Sequence, residues 1–105
     1  DAIVYLNKYK KKDKSISPVA IGCIGDAYVE LGNTEIGIEY YLKAADYSEN
    51  KFYNPLYLMK AAQLYEMEGS YDKALELYEE IKEKYPESSE GRNIDKYIAR
   101  AKIKK

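Results

Sequence analysis

Few side chains in this sequence could carry out chemistry, and their types exclude most catalytic arrangements. The chain has no histidine, and Cys23 is its only cysteine. Zinc sites with histidine ligands, Ser-His and Cys-His nucleophile pairs, and a disulfide within the chain are therefore excluded. Because no histidine can activate Cys23, we interpret it as a small buried or half-exposed thiol rather than a nucleophile.

Two pairs of carboxylates have a spacing that could suit acid–base catalysis, Glu76 with Glu80 and Glu79 with Glu83. Residues four apart lie on one face of a helix. That face is opposite the apolar stripe of the same segment, so we expect all four side chains to face solvent. General acid–base catalysis needs a positioned group beside its substrate. The sequence therefore predicts that the chain is not an enzyme and holds no metal or cofactor.

A lysine-rich stretch near the amino end could bind phosphate groups. Its members are Lys8, Lys10, Lys11, Lys12 and Lys14. Asp13 interrupts the run, and no glycine-rich cradle or aromatic platform accompanies it. The whole chain has 17 basic and 18 acidic residues, a net charge of −1. We therefore predict a solvated turn here and no nucleic-acid partner.

The sequence contains an internal repeat, which indicates the secondary structure elements that carry the residues named above. Pro18 and Pro55 lie 37 positions apart. The same offset pairs residues of similar type, namely Gly25 with Ala62, Tyr28 with Tyr65, Gly32 with Gly69, and Tyr41 with Tyr78. Self-similarity at such a period is typical of repeat proteins, in which each unit covers the apolar side of the next.

Each copy predicts two helices joined by a short turn, because apolar residues recur at helical spacing in both of its halves. The first-helix stripes are Ile21, Ile24, Tyr28 and Leu31, then Leu58, Ala61, Tyr65 and Glu68. The second-helix stripes are Ile38, Tyr41, Leu42 and Ala45, then Ala74, Leu77, Tyr78, Ile81 and Tyr85. Strand-like alternation is absent from the sequence.

The predicted helix ends carry their own local signals. Ser17 and Asn54 each precede a proline and are expected to cap the first helices. Glycines at 32 and 69 are expected to end those helices. Asn33 or Thr34 in one copy, and Ser70 in the other, are expected to cap the second helices.

These residues resemble the tetratricopeptide repeat family, whose unit is a pair of antiparallel helices. The second copy carries the resemblance best, through Leu58, Ala61, Ala62, Tyr65, Gly69, Tyr71, Ala74, Tyr78 and Pro86. The first copy departs from the pattern at Thr34 and Gly37, and we expect its helix pair to be looser. The resemblance implies an all-α fold, a superhelical solenoid of antiparallel helix pairs with a C-terminal capping helix.

The resemblance also divides the chain, as a single domain, into four segments. Residues 18–54 and 55–88 are the two repeats. Residues 1–16 are expected to be the trailing helix of a truncated repeat, and residues 89–105 the capping helix. Because Asp1 is not an initiator methionine, we expect a preceding part to be missing.

In the family that this chain resembles, the first helices line a groove that takes an extended peptide or a partner helix. The resemblance therefore implies a non-catalytic scaffold for protein–protein interaction. We predict that the groove is lined by first-helix residues outside the apolar stripe, namely Val19, Gly22, Asp26, Val29, Leu56, Met59, Gln63 and Glu66. Gly22 and Asp26 do not suit a clamp for a C-terminal carboxylate, so none is expected.

A second interpretation is a structural or self-associating segment of a larger membrane-anchored protein. The apolar side chains of residues 1–12 lack their expected neighbour, which predicts a homodimer through this segment. The segment 85–88, Tyr-Pro-Glu-Ser, resembles bacterial cell-envelope repeat proteins, several of which carry an N-terminal anchor. No run in this chain approaches the ~20 apolar residues of a membrane span. The compartment stays open between cell envelope and cytoplasm.

Overall fold

The computed structural model describes residues 17–47 and 51–105. This part of the chain forms six α-helices and contains no strand. The helices are α1 (Pro18–Glu30), α2 (Thr34–Tyr47), α3 (Tyr53–Met67), α4 (Tyr71–Lys84), α5 (Ser89–Arg92) and α6 (Ile94–Lys104). The predicted trailing helix at 1–16 and the lysine-rich stretch lie outside the described residues.

Helix α1 begins where the sequence predicts. Ser17 has an extended backbone, and its hydroxyl oxygen accepts a hydrogen bond from the Ala20 amide at 3.1 Å. Pro18 occupies the first helical position. A proline there removes no helical hydrogen bond, because the first amides of a helix have no carbonyl partner. The predicted cap is confirmed.

Both hairpins turn on a glycine in the left-handed region, with φ of 86° at Gly32 and 84° at Gly69. In each turn the amide after the glycine donates to the carbonyl of the tyrosine four residues before the glycine, at 2.8 Å. The glycine amide itself donates to the carbonyl three residues back, at 3.0 and 3.1 Å. These paired bonds satisfy the last carbonyls of α1 and α3. The predicted glycine ends are confirmed.

Replacing Gly32 with alanine is expected to lower the free energy of unfolding by about 1 kcal/mol. A Cβ at this position would meet no atom within 4 Å, so the loss comes from the positive φ and not from a clash. Urea denaturation of the two proteins measures the difference. Gly32→Asn serves as the control, because asparagine tolerates the left-handed region better. Equal losses for the two variants would contradict this reasoning.

The start of the second hairpin differs from the prediction. Helix α3 begins at Tyr53 rather than at Pro55, so Asn54 lies within the helix. The side-chain Nδ2 of Asn54 donates a hydrogen bond to the Tyr85 hydroxyl at 2.9 Å, so this side chain does not cap α3. Ser70 occupies the N-cap position of α4, but its side chain makes no capping bond. Both capping predictions were wrong, and for Asn54 the reason is a tertiary partner that the local sequence does not show.

The helices stack in chain order, with each packing mainly on the next along the series α1, α2, α3, α4 and α6. The described part of the chain is therefore the all-α solenoid of helix pairs that the sequence predicts. Its apolar layer includes Ile21, Ile38, Tyr41, Ala44, Leu58, Ala61, Ala62, Ala74, Tyr78, Ile81, Ile94, Ile98 and Ala101.

The predicted first-helix stripes extend too far at their C-terminal ends. Leu31 is 66% exposed, and Glu68 is exposed as well. Both residues occupy the C-cap position, where the chain is leaving the helix for the glycine turn. The predicted stripes continue the helical spacing beyond the last turn of each helix. They therefore include side chains that the neighbouring helix does not cover.

Helices α1 and α2 approach closely at two glycines. A Cβ on Gly25 would lie 3.0 Å from the Gly37 carbonyl oxygen and 2.9 Å from two ring carbons of Tyr41. Backbones come this close only where no side chain separates them. The first hairpin is therefore tightly packed at this crossing, and the expectation of a looser pair was wrong.

The C-terminal segment contains two helices instead of the one expected. The Ser88 hydroxyl oxygen accepts a hydrogen bond from the Gly91 amide at 2.9 Å and caps α5, which ends after one turn. A Cβ on Gly91 would collide with the carbonyl oxygen of Tyr85, so this turn is folded tightly onto the end of α4. The chain then restarts at Asn93 as α6.

Helix α6 covers α4 with an apolar side and exposes a polar one. The buried side chains are Ile94, Ile98 and Ala101. Exposed positions include Asp95, Lys96, Ala99 and Lys102. A polar outer side of this kind is what the sequence predicts for a capping helix. The segment 89–105 is interrupted at Asn93, and its role as a cap stays a prediction.

Candidate protein-binding surface

Helices α1, α3 and α6 are joined along one surface of the solenoid, which we call the first-helix face. Lys60 Nζ of α3 lies 3.2 Å from Asp26 Oδ1 of α1. Arg100 Nε of α6 lies 2.7 Å from Glu66 Oε2 of α3. The eight predicted groove residues all lie on α1 and α3, two of the three helices that form this face.

The first of these contacts is a three-residue bridge between the two hairpins. The Tyr41 hydroxyl of α2 donates to Asp26, which also accepts from Lys60. The Lys60 ammonium lies 5.2 Å from the centre of the Tyr41 ring. Burial is the main cause that raises the pKa of Tyr41, and its hydrogen bond to Asp26 adds to the effect. Tyr41 therefore stays neutral and acts as a donor.

The second bridge is built around a buried carboxylate. Glu66 is only 7% exposed, and its Oε1 accepts from the Tyr78 hydroxyl at 2.8 Å. Arg100 donates to both carboxylate oxygens, at 2.7 and 3.0 Å, and Lys104 Nζ lies 3.6 Å from Oε2. A buried charge is tolerated when it is paired and hydrogen-bonded in this way.

The surroundings of Glu66 keep it ionised despite its burial. The hydrogen bond from Arg100 is the largest cause that holds the pKa of Glu66 below its ordinary value of 4.5. Burial opposes this effect, and the bond from Tyr78 adds to it. The pKa of Tyr78 is raised, mainly by burial and then by its bond to Glu66. Neither group is poised to exchange a proton near neutral pH.

The two bridges follow one plan. In each, an acid on a first helix meets the hydroxyl of a tyrosine on the following second helix, and a cation on the next first helix completes the set. The two tyrosines, Tyr41 and Tyr78, are 37 positions apart. The acid and the cation are separated by 34 positions in both bridges. One bridge therefore stands at each junction between successive first helices.

The structure separates the predicted groove residues into surface and buried positions. Val19 is 39% exposed, and Asp26 and Gln63 are partly exposed. Val29 and Leu56 are half-buried against the core. The remaining three, Gly22, Met59 and Glu66, are buried. These three offer a partner little surface, although Glu66 still lines the cavity described below. A binding role for all eight residues stays a prediction.

The buried positions have tertiary causes. Gly22 lies directly under the ring of Tyr57 of α3, so that a Cβ on Gly22 would collide with it. Met59 is 8% exposed and belongs to the apolar layer. Glu66 is covered by Arg100 and Lys104. For Gly22 and Glu66 the covering side chain comes from a different helix, which the period of a single helix does not reveal.

The structure adds two residues that the groove prediction missed, Arg100 and Lys104. With Gln63, Glu66 and Met67 they line an open surface cavity of about 340 Å³ between α3 and α6. Met67 is 82% exposed, and the side chains of Arg100 and Lys104 are 47% and 51% exposed. A signal was available, because Arg100 and Lys104 follow Gln63 and Met67 at the same 37-residue offset.

The other residues considered for chemistry do not assemble into a site. Cys23 is exposed on α1. Glu76, Glu79 and Glu83 are exposed, and Glu80 pairs with Lys84 at 3.7 Å. Within the ranges 17–47 and 51–105 no three acidic or thiol side chains are grouped as metal ligands would be. In the same ranges no helix has the length and apolar character of a membrane span.

Consecutive helical hairpins, glycine turns at a fixed offset and a shared first-helix face define a helical repeat protein of the solenoid class. Residues 57–88, which run from α3 to the start of α5, match the tetratricopeptide repeat family. This part of the chain therefore matches one tetratricopeptide repeat. Repeats of that family generally mediate protein–protein interaction, and members of the family are typically non-catalytic scaffolds.

A TPR repeat-containing protein of Methanocaldococcus jannaschii is similar to this chain, with 34% identity over 85 residues. The similar region covers 81% of this chain and 14% of that protein. The chain therefore spans about one-seventh of the length of this relative.

Proposed function

We propose that this chain is a non-catalytic scaffold that binds a partner protein on its first-helix face. The observation that carries the proposal is the open cavity between α3 and α6, where exposed Met67 stands beside the cations of Arg100 and Lys104. An adaptable apolar side chain next to fixed charges is suited to protein contacts. The bridges beneath this face hold the helices in one arrangement, so the surface is preorganised for binding.

The same geometry argues against catalysis at this face. Every carboxylate and phenol in the two bridges is already hydrogen-bonded to a protein partner. The pKa of Glu66 is lowered and those of Tyr41 and Tyr78 are raised, which moves all three groups away from neutral pH. A general acid or base would need the opposite shift. Recognition is therefore the better-supported role.

Replacing Met67 with lysine is expected to reduce recovery of a bound partner at least tenfold, because an extra charge would replace apolar contact at the cavity. The 105-residue chain, immobilised and incubated with lysate of its source organism, gives the measurement. Ile103→Lys is the matched control, since Ile103 is also exposed, at 85%, and lies outside the cavity. Equal recovery of all partners by both variants would remove the proposal.

The self-associating alternative depends on residues 1–12, which lie outside the described part of the chain. The homodimer through this segment, the membrane-anchored context and the bacterial cell-envelope origin therefore stay predictions. Sedimentation of the natural full-length protein would test the dimer. A monomer would contradict it, and a dimer would make self-association a native property.

A further inference from the structure

The 37-residue offset continues through all three first helices and aligns two rows of residues across the first-helix face. One row contains Asp26 of α1, Gln63 of α3 and Arg100 of α6. The other row contains Glu30 of α1, Met67 of α3 and Lys104 of α6. Because equivalent positions of stacked repeats lie side by side, each row runs along the solenoid from α1 to α6.

Both rows change charge in the same direction. They begin with an acid on α1, pass a neutral side chain on α3 and end with a cation on α6. Partial neutralisation does not remove the trend. Lys60 balances Asp26, which leaves the charge of Glu30 at the α1 end. Glu66 balances one of the two cations on α6, which leaves one positive charge at that end.

The charged ends of the rows are accessible to a partner. The side chain of Asp26 is 46% exposed and Glu30 is exposed. Arg100 and Lys104 keep 47% and 51% of their side chains in water. Between the ends, Met67 is 82% exposed and offers an apolar contact. Along these two rows the face therefore has a negative end, a middle formed by Gln63 and the apolar Met67, and a positive end.

We propose that the first-helix face binds an extended segment of a partner protein with a basic end over α1, an apolar residue over Met67 and an acidic end over α6. This inference rests on the proposed function. Helices that meet through their side chains lie about one helix diameter, ~10–12 Å, apart, so the distance from α1 to α6 is roughly 20–24 Å. An extended chain of about seven residues covers that distance at ~3.3 Å per residue.

The charge order determines the orientation of the bound segment. A segment placed the wrong way round would set its cations beside Arg100 and Lys104 and its acids beside Glu30. Like charges in contact disfavour binding, whereas complementary potentials fix the register of a partner. The preference is expected to weaken in salt, because exposed charges are screened over about 8 Å at physiological ionic strength.

Two capped peptides of identical composition test the charge order. The bipolar peptide is Lys-Lys-Gly-Leu-Gly-Glu-Glu, and the mixed peptide is Lys-Glu-Gly-Leu-Gly-Lys-Glu. Titration followed by amide chemical shifts of the labelled protein is expected to give a Kd at least fivefold lower for the bipolar peptide at low salt. A nitroxide on its basic end is expected to broaden the amides of α1 more than those of α6. Equal Kd values, no binding, or broadening centred on α6 would overturn the inference.

Two charge-neutral double variants separate this face from general electrostatics. Glu30→Gln with Lys104→Gln is expected to abolish the preference between the peptides. Glu83→Gln with Lys102→Gln removes one acid and one base at exposed positions off the face. This second variant is expected to retain the preference for the bipolar peptide. Suppose that Met67→Lys reduces recovery of a partner from lysate, but the two peptides bind equally well. The charge order is then wrong, while the proposed function stands. Loss of both results removes both.

Discussion

The variant Gly25→Leu is expected to be less stable than the parent chain by about 3 kcal/mol or more, because overpacking a closed helix crossing forces backbone and ring displacements. The Gly37 carbonyl oxygen would be 3.0 Å from the new Cβ, and backbone cannot move away without separating α1 from α2. The Tyr41 ring is equally confined, because it stacks on Tyr57 at 6.1 Å and its hydroxyl bonds to Asp26.

Urea denaturation and thermal unfolding measure this effect, and the midpoint is expected to fall by roughly 12–24 °C for a domain of this size. Cys23→Leu is the control, because Cys23 lies two residues earlier on the same helix and is exposed. That change is expected to alter stability by less than about 0.5 kcal/mol. Comparable losses in the two variants would show that the α1–α2 crossing is not as closed as the geometry indicates.

The two hairpins could be predicted because the residues that specify them lie close together in the sequence and recur in both repeats. Glycines at 32 and 69 need the left-handed conformation, and helical spacing of apolar residues defines the buried side of each helix. The chain has 13 tyrosines and one phenylalanine. Tyr41 and Tyr78 show why tyrosine suits this fold, since their rings fill a thin apolar layer while their hydroxyls reach acids on the first helices.

The site was harder to predict, because its defining contacts join residues far apart in the chain. Helical period places Glu66 outside the apolar stripe, and a polar residue there is expected to face solvent. It is buried instead, because Arg100, 34 positions later, closes over it. A local pattern cannot show such a partner. The 37-residue offset can show it, because Arg100 is the third member of the row formed by Asp26, Gln63 and Arg100.

The two bridges link the stacking of the hairpins to the surface that they present. Each bridge joins three helices, so a first helix cannot shift without stretching a charged hydrogen bond. Such bonds are stronger than neutral ones and constrain direction. The bridges differ in burial, with Asp26 half-exposed and Glu66 nearly enclosed. Loss of a partner is therefore expected to matter more at the second junction, where water cannot replace it.

Replacing Arg100 with methionine is expected to lower the free energy of unfolding by about 2 kcal/mol at neutral pH, less than for a fully buried pair because Arg100 is half-exposed. Methionine keeps much of the apolar stem but removes both hydrogen bonds to Glu66, which would then remain charged and buried with only Tyr78 and the more distant Lys104. Urea denaturation gives the value. Arg92→Met is the control, because Arg92 is exposed and its removal is expected to have little effect.

The penalty of Arg100→Met is expected to shrink in acid. A carboxyl group whose pKa is lowered by folding adds stability above its ordinary pKa of 4.5 and loses that contribution as the pH falls through the lowered value. Arg100 is the largest cause of the lowering at Glu66, so the variant lacks most of this contribution. Once Glu66 is protonated in both proteins, no buried charge remains to distinguish them. Denaturation at about pH 7 and at successively lower pH should show converging stabilities. A penalty independent of pH would mean that Arg100 acts by packing and not by pairing with the carboxylate.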